Sequence, residues 1–553
     1  MKKSRYILPV FLLLFSSATI FAENYVRPIQ PKFLQYGWEM TDNQELAKKY
    51  RQMEAAMPFF DGVIFKLVGQ APHGKISTLY PWSKHGIWKE EYFAEAIKEL
   101  KSCKFTRFKD NFIMMWTSPG PIDWFDNQGW EIIAEKFRIV AKVAKAAGVK
   151  GICFDPETYG KFLWTYDPAC GHSVSEVSNA ARKRGRQIMR AMAKEFPDMT
   201  FMSFWLWSLP EAQKDIDMQW HFWGVYPSFI NGLWDEVPAE MTVVDAAESG
   251  YSITSEMQAQ LTAAAVLSGN FPKFAPKNRE RYNRQNRLGW GIYLDPYMPG
   301  HPSWIVHNGT ELAQLRRNVG YLMRTSAKYI WVYGEKGRWI ASSDPKVSKP
   351  WESRLPGITN TFMFMRNPLE SEHTTSENLV HNPELKKNYT PPKKRLKNPD
   401  SWGKSTVFPG YSIWYSGVPL KAGITADKNG NIGFIEKEGK NGSRRSAVSA
   451  TVPISQANST YLYEIEVKSQ GECNFDANAC FFTSKGGWLQ TVPMVRVPGE
   501  SADGFIRFRV IATAPDTAAS TSLMFFAYFN NAGKGFFRNM KIIKLTAKEP
   551  RKK

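Results

Sequence analysis

Residues 149–160 read VKGICFDPETYG, and this stretch decides the fold that we expect. β-Branched and aromatic residues between two flanking glycines predict a short buried strand over residues 150–155. Because side chains alternate along a strand, Cys153, Asp155 and Glu157 should share one face. Acids at the end of a buried strand are uncommon unless they are paired or chemically employed. This stretch therefore indicates either a cap that holds loop amides or a functional site.

Seven other segments carry the same kind of strand pattern, and helical segments separate them. The eight predicted strands are Phe33–Glu39, Phe60–Val68, Phe108–Trp116, Lys150–Asp155, Thr200–Trp207, Met241–Ala247, Trp290–Asp295 and Lys328–Glu335. Eight strand-then-helix units in this length are typical of a (β/α)8 TIM barrel, an α/β fold. We expect the barrel to span residues 23–366.

The composition changes near Asn367. Residues 367–376 are predicted to be a linker, and residues 377–547 contain many short strand patterns separated by turn signals. This pattern favours an all-β sandwich of the jelly-roll type. Residues 548–553 are predicted to form a basic tail.

Residues 1–22 have the pattern of a cleaved secretory signal peptide. Lys2, Lys3 and Arg5 precede an apolar run from Ile7 to Phe15, and small residues lead to Ala22. This run is too short for a membrane span, and no later stretch is long enough. We therefore expect a secreted or periplasmic bacterial protein.

The chain carries a formal net charge of +20, or +17 once the three basic residues of the signal segment are subtracted (20 − 3). Such a charge favours a polyanionic partner, for example a sulfated or uronic polysaccharide, although solubility alone also explains it. Lys66, Lys109 and Lys161 are candidates to lie near a cleft mouth. We find no nucleic-acid-binding motif.

The five cysteines are too scattered for a disulfide framework, and no spacing indicates a metal site. Cys473 and Cys480 are close enough in sequence to bridge a hairpin, whereas Cys153 is better interpreted as a buried apolar residue. We predict no metal and no cofactor.

In barrel enzymes the active site lies at the C-terminal ends of the strands. Acids that converge at one cleft mouth push some of their pKa values apart. The acids at these predicted ends are Glu39, Asp155, Glu157, Asp245, Glu248, Asp295 and Glu335. Aromatic residues near them, interpreted as surfaces for sugar rings, are Trp38, Trp116, Trp164, Trp207, Tyr293, Tyr333 and Trp339. Paired carboxylates with aromatic platforms are the chemistry of glycoside hydrolysis.

From Phe33 to Pro356 the chain resembles secreted bacterial (β/α)8 glycoside hydrolases of an uncharacterised family, with FDPE, D-x-x-E, YLD and VYGE at the strand ends. The Asp155-x-Glu157 spacing is similar to the end of the chitinase-type motif, whose Asp-Gly lead-in is missing here. Residues 377–383, ENLVHNP, resemble the opening of jelly-roll carbohydrate-binding modules. Candidate sugar platforms in this second domain are Trp402, Trp414 and Trp488.

The sequence therefore favours an exported hydrolase of a polysaccharide or oligosaccharide, with Glu157 as general acid/base and Asp155 orienting it and tuning its pKa. Its partner is Glu335 or Glu248, with Glu335 preferred because strand alternation puts it on one face with Tyr333. Asp245 and Asp295 would bind sugar hydroxyls or modify pKa values. The alternatives are a non-catalytic polysaccharide-binding protein and a hydrolase of another bond. The oligomeric state is left open.

Overall fold

The computed structural model describes residues 30–38, 40–118, 120, 122–158, 163–209, 214, 219–306, 309–340, 349–381, 411–416, 424–426, 431–436, 444–500 and 503–550. The signal segment, Glu39, Lys161, Trp402 and the side chain of Trp414 lie outside this described part. The described chain divides into two compact units, one of residues 31–372 with 547–550 and one of residues 373–546.

The first unit is built on a closed barrel of eight strands in which every neighbouring pair is parallel. Going round the barrel, the strands follow their order in the chain. They are β1 (Lys32–Gln35), β2 (Gly62–Phe65), β3 (Phe112–Trp116), β4 (Gly151–Asp155), β5 (Thr200–Ser203), β6 (Thr242–Asp245), β7 (Asn286–Tyr293) and β8 (Tyr329–Tyr333). The predicted (β/α)8 barrel is confirmed.

Helices lie between these strands and after the last of them. They are α1 (Asn43–Ala56), α2 (Ala94–Ser102), α3 (Asn127–Ala147), α4 (Val174–Glu195), α5 (Tyr226–Asp235), α6 (Glu256–Ser268), α7 (Arg279–Gln285), α8 (Glu311–Met323), α9 (Trp351–Arg354) and α10 (Ile358–Arg366). Local capping fixes their ends: Ser173 and Glu176 form a capping box at the start of α4, and Gly148 ends α3 with a left-handed φ of 71°. None of the described helices has both the length and the apolar character needed to cross a membrane.

The two faces of each barrel strand pack into different cores. Cys153 lies inside the barrel with Met114 and Met202, whereas Ile152 and Phe154 pack outward against the helices. The predicted alternation in β4 is thus confirmed, and Cys153 is a fully buried thiol. This alternation carries Asp155 toward the interior at the C-terminal end of the barrel.

Helices α4 and α5 approach each other very closely through two glycines. A Cβ atom on Gly185 would lie 2.2 Å from the carbonyl oxygen of Phe229, and one on Gly232 would lie 2.1 Å from that of Arg182. Arg182 also pairs with the buried carboxylate of Asp235, at 2.8 Å. The contact therefore depends on the absence of side chains at both glycine positions.

The second unit is built from ten described strands, whose pairings from Tyr411 onward are antiparallel. They are β9 (His373–Thr375), β10 (Tyr411–Ser416), β11 (Ile424–Ala426), β12 (Ile432–Glu436), β13 (Arg444–Pro453), β14 (Thr460–Phe482), β15 (Trp488–Pro493), β16 (Val495–Glu500), β17 (Ile506–Thr513) and β18 (Ser520–Ala547). The long strands β14 and β18 pair along most of their length, with a register shift between Gly471 and Cys473. Alternate residues such as Phe481, Leu523 and Phe525 form its core. An all-β sandwich after the barrel is consistent with this arrangement.

Cys473 and Cys480 do not form a disulfide, contrary to the pairing considered from the sequence. Both thiols are free. They lie seven residues apart on the same strand, β14, which separates them by about 23 Å at 3.3 Å per residue. Disulfide geometry needs Cα atoms within about 7 Å.

Residues 547–550, most of them in the predicted basic tail, return to the barrel unit. The carboxylate of Glu549 pairs with Arg316 and accepts a hydrogen bond from Oγ1 of Thr310 at 2.7 Å, so it is held on α8. The backbone N–H of Lys548 donates to the carbonyl oxygen of Glu372 at 2.9 Å. This short segment is part of the barrel unit.

Candidate active site

Asp155 positions the main chain of Glu157 at the end of β4. The Asp155 side chain is 2% exposed, and its Oδ1 accepts the backbone N–H of Glu157 at 2.9 Å. The hydroxyl of Thr117 donates to the carbonyl oxygen of Glu157 at 2.7 Å, and Nε1 of Trp164 donates to that of Pro156 at the same distance. Neighbouring loops therefore hold this turn, and Glu157 itself is half-buried.

Glu248 begins a 3₁₀ turn, Glu248–Ser252, just after β6. Burial, together with the negative charges of Glu157 and Asp155, raises the pKa of its carboxyl to about 9. The side chains of Trp205 and Tyr251 lie beside the carboxyl and oppose the shift. The structure thus brings Asp155, Glu157 and Glu248 together, and burial beside two other acids favours the protonated form of Glu248.

Glu335 has a different set of contacts. Its Oε1 accepts a hydrogen bond from the hydroxyl of Tyr333 at 3.2 Å. Oδ1 of Asp295 accepts the backbone N–H of Glu335 at 3.0 Å and that of Lys336 at 3.3 Å. The charge of Glu157 raises the pKa of the Glu248 carboxyl. This interaction favours Glu248, rather than the predicted Glu335, as the partner of Glu157. Asp295 is fully buried and fixes a loop, which does not fit the predicted contact with sugar.

Four tyrosines lie between the Glu248 side and the Glu335 side of the site. The rings of Tyr36 and Tyr333 stack at 5.1 Å, those of Tyr251 and Tyr293 lie 5.4 Å apart, and those of Tyr293 and Tyr333 also lie 5.4 Å apart. Burial raises the pKa of all four hydroxyls, and neighbouring acids add to the effect. They are therefore neutral at physiological pH and can donate hydrogen bonds.

Gly291 makes room for two of the rings at this site. A Cβ atom on Gly291 of β7 would lie 2.7 Å from the indole of Trp331 and 2.8 Å from the ring of Tyr251. The indole Nε1 of Trp331 donates to the carbonyl oxygen of Ala246 at 2.8 Å, just before Glu248 in the chain. Because Gly291 has no side chain, the ring of Tyr251 has room to lie beside the carboxyl of Glu248.

Asp245 is a buried structural acid, and the predicted role as a sugar ligand is not compatible with its position. It has no exposed surface. Its carboxylate accepts hydrogen bonds from the backbone N–H of Leu206 at 3.2 Å, and from the backbone N–H and hydroxyl of Ser208 at 2.7 and 2.5 Å. Burial raises its pKa to about 6 despite these donors. Asp245 holds the loop after β5.

Three tryptophans predicted to face sugar are packed inside the barrel unit. Trp164 is 1% exposed and its ring lies 4.5 Å from that of Tyr226, and Trp207 is fully buried and stacks on Phe271 at 5.2 Å. The half-buried Trp339 packs against two phenylalanines near the start of β2, with ring centroids 5.1 and 5.2 Å away. These side chains stabilise the core and are not placed to bind substrate.

The other predicted residues have mixed positions. Trp38 follows β1 and is 62% exposed, and Trp116 is half-buried where β3 ends. Lys66 follows β2, at the C-terminal end of the barrel, as expected. Lys109 precedes β3 and therefore lies at the opposite end, so the prediction that it lines the cleft mouth is wrong. Its Nζ donates to the carbonyl oxygen of Phe105.

Tyr251 lies beside the Glu248 carboxyl and Trp304 lies on the outer side of the tyrosine group, and neither was named from the sequence. Tyr251 follows Glu248 by three residues, and a spacing that returns to one face of a helical turn is the signal that could have indicated it. Trp304 follows β7, its ring lies 5.9 Å from that of Tyr293, and its Nε1 donates to the carbonyl oxygen of Tyr251 at 3.5 Å. Among the described residues, no group of His, Cys, Asp and Glu side chains is arranged to hold a metal ion.

Comparison with known proteins gives similarity to solved structures alone, since no protein-family model and no curated protein matches the chain. A glycoside hydrolase structure is 11% identical over 90% of this chain and 92% of that one, with a TM-score of 0.31. The 3-keto-D-glucoside 4-epimerase YcjR from E. coli is 14% identical over 61% of this chain and 99% of that one, also with a TM-score of 0.31.

A third similar structure is the Clostridium thermocellum xylanase 10B with its CBM22-1 and GH10 modules, complexed with xylohexaose. It is 16% identical over 26% of this chain, with a TM-score of 0.18. The match spans 27% of the length of that chain. Carbohydrate-binding modules are also among the similar structures. All these scores are too low to support a function, and the proposal below is based on the geometry of the site.

Proposed function

We propose that the protein is an exported glycoside hydrolase that cleaves a polysaccharide or oligosaccharide. The observation that supports this proposal is the group of Asp155, Glu157 and Glu248 at the C-terminal end of the barrel, in which Glu248 keeps its proton beside a charged neighbour. A protonated and an ionised carboxyl side by side are what acid-catalysed glycoside cleavage requires.

The raised pKa assigns the proton-donor role to Glu248 in this proposal, in place of the general-acid role predicted for Glu157. Glu248 would protonate the glycosidic oxygen as the bond to the anomeric carbon breaks. Glu157 would act as the carboxylate, either attacking the anomeric carbon or taking a proton from the attacking water. Asp155 would hold Glu157 through its backbone N–H and keep the pKa of Glu248 high.

The substrate class proposed from charge is an anionic glycan, sulfated or uronic. Lys66 at the mouth of the barrel and the net charge of +20 support it. The second unit is proposed to bind carbohydrate as well. Trp488 is 49% exposed on β15, and its ring is fixed by Phe482 at 5.0 Å. Unchanged cosedimentation of Trp488→Ala with insoluble polysaccharide would contradict that role.

The test is an assay of the full chain against chromogenic glycosides and against neutral, uronic and sulfated polysaccharides. We expect new reducing ends from at least one glycan, and none from the double variant Glu157→Gln/Glu248→Gln. Binding without cleavage by the wild-type protein would favour a non-catalytic polysaccharide-binding protein. Release of a carboxylic acid from an ester or amide substituent of the glycan, without new reducing ends, would favour a hydrolase of another bond.

A further inference from the structure

Exposed aromatic side chains in the barrel unit are confined to one end of it. Within the described residues of this unit, each of them lies between the end of a strand and the helix that follows. They are Trp38, Tyr80, Trp220, Phe222 and Trp304. The outer helices instead expose aliphatic side chains, such as Met257 at 72% and Leu261 at 65%. Large exposed aromatic side chains grouped at the active-site end of a barrel indicate a ligand-binding surface.

Trp304 is linked to the proposed proton donor through two tyrosines. Its ring lies 5.9 Å from that of Tyr293, and the ring of Tyr293 lies 5.4 Å from that of Tyr251. Tyr251 lies beside the carboxyl of Glu248. Trp304 itself is 55% exposed. The exposed ring of Trp304 is therefore connected to Glu248 through the rings of Tyr293 and Tyr251.

Trp220 is linked to the Glu157 side through a different loop. Its ring lies 5.9 Å from that of Tyr166. Tyr166 belongs to the segment after β4, and within that segment Nε1 of Trp164 donates to the carbonyl oxygen of Pro156, directly before Glu157. Trp220 is 65% exposed. Exposed indoles thus lie on the loops after β5 and β7, two strands that neighbour β4 and β6, which the two acids follow.

We propose that Trp220 and Trp304 are two sugar-stacking platforms that flank the acids, so that the substrate is an extended glycan chain and not a single terminal sugar. This inference rests on the proposed function. Sugar rings present C–H faces that pack on flat aromatic surfaces, and two such surfaces on different loops bind units on both sides of the bond to be cleaved. A monoglycoside reaches the acids without using either platform.

The test compares Trp220→Ala and Trp304→Ala with the wild-type chain, and uses Met257→Ala and Leu261→Ala as matched exposed controls. The probes are xylo-, cello-, galacturono- and mannurono-hexaoses and the corresponding 4-nitrophenyl monoglycosides, so that neutral and uronic chains are both tested. We expect each tryptophan variant to raise KM for the cleaved hexaose about tenfold, as for the loss of one aromatic contact, while kcat and monoglycoside hydrolysis change little. The control variants should match the wild type.

Wild-type KM for hexaose in both tryptophan variants would overturn the inference, even if the proposed function holds. If the wild-type protein cleaves nothing, the proposed function fails, and isothermal titration of the same hexaoses decides the inference. Binding that weakens in Trp220→Ala and Trp304→Ala would support two platforms in a binding cleft. Absent binding, or binding insensitive to both substitutions, would contradict them.

Discussion

Glu157 follows β4 and Glu248 follows β6, two strands that are separated by β5. The two side chains nevertheless interact, because the charge of Glu157 raises the pKa of the Glu248 carboxyl. Two acids whose surroundings move their pKa values apart can divide the work of acid and base between them. Glu335, which follows β8, is instead hydrogen-bonded to Tyr333 through its carboxylate and to the buried carboxylate of Asp295 through its backbone N–H.

The first prediction separates these acids by activity. Glu157→Gln and Glu248→Gln each remove an ionisable group without changing its shape, so we expect each to lower turnover by about 10²- to 10⁴-fold. Glu335→Gln should have a smaller effect, because its carboxyl contacts Tyr333 and the proposal assigns Glu248 as the partner of Glu157. Reducing-end assays on the cleaved glycan measure all three. A larger loss in Glu335→Gln than in Glu248→Gln would restore Glu335 as the partner.

The second prediction concerns the pH profile of kcat/KM. If Glu248 is the proton donor, activity should fall on the basic side as its carboxyl loses its proton. Asp155→Asn keeps an acceptor for the backbone N–H of Glu157 but removes a negative charge that raises the pKa of Glu248. The basic limb should therefore move to lower pH in Asp155→Asn. A limb at the wild-type pH in this variant would exclude Glu248 as the group that controls it.

The third prediction concerns stability against pH. The pKa of Glu248 is about 9 in the folded protein, against 4.5 for an ordinary glutamate. Between these values the unfolded chain has released the proton that the folded protein keeps, so rising pH lowers the free energy of unfolding. Glu248→Gln lacks this dependence. The Tm of the variant relative to the wild type should rise from pH 5 to pH 9, as scanning calorimetry can measure, and a constant difference would contradict the raised pKa.

The fourth prediction tests the close contact of α4 with α5. Gly185→Ala and Gly232→Ala place a methyl group against backbone atoms of the other helix, and we expect each to lower the free energy of unfolding by about 1 to 3 kcal/mol. Gly320→Ala in α8 is the control, because a Cβ atom there meets only the flexible end of Arg324. That substitution should be neutral or stabilising by up to about 1 kcal/mol. Equal effects in denaturant titrations of all three variants would contradict the steric explanation.

The fifth prediction tests whether the substrate is anionic. Lys66→Glu reverses a charge at the end of the barrel that carries the acids, and Lys109→Glu makes the same change at the opposite end. For a uronic or sulfated substrate we expect a higher KM and a weaker salt dependence in Lys66→Glu alone, because screening acts on charges near the binding site. Equal KM values in both variants and in the wild type across a salt series would indicate a neutral substrate.

Strand and helix patterns are local, and for this reason the sequence predicted the eight barrel strands and their order. The predicted ends were less accurate. The fifth strand was expected to reach Trp207, but it ends at Ser203 because Asp245 holds the backbone of Leu206 and Ser208 in a loop. Lys109 was misplaced for a different reason: it lies on the N-terminal side of β3, which begins three residues after it, and the cleft mouth lies at the other end of the strand.

Contacts between distant segments account for the errors in the site. Alternation along β8 was extended past the strand end to Glu335, where Asp295 on another loop fixes the backbone. A tryptophan that packs against Phe271 and one that lies open to solvent look the same in a sequence, which explains why Trp207 was predicted as a platform and Trp304 was overlooked. Asp155 and Glu157 could be placed together from the sequence because both lie at one short strand end.

The segment 547–550 has a consequence for how the protein is made. Glu549 contacts Arg316 on α8 and Thr310 at its N-terminus. Pro550 packs against Gly357, where an added Cβ atom would lie 2.6 Å from Cδ of the proline. A chain emerges from the ribosome at about 5 to 20 residues per second, and domains fold as their residues become available. The contacts of residues 547–550 with the barrel unit can therefore form only after the whole second unit has been synthesised. A stop codon just after β18 would remove no strand, yet the barrel unit would lose the contacts of Glu549 with Arg316 and of Pro550 with Gly357.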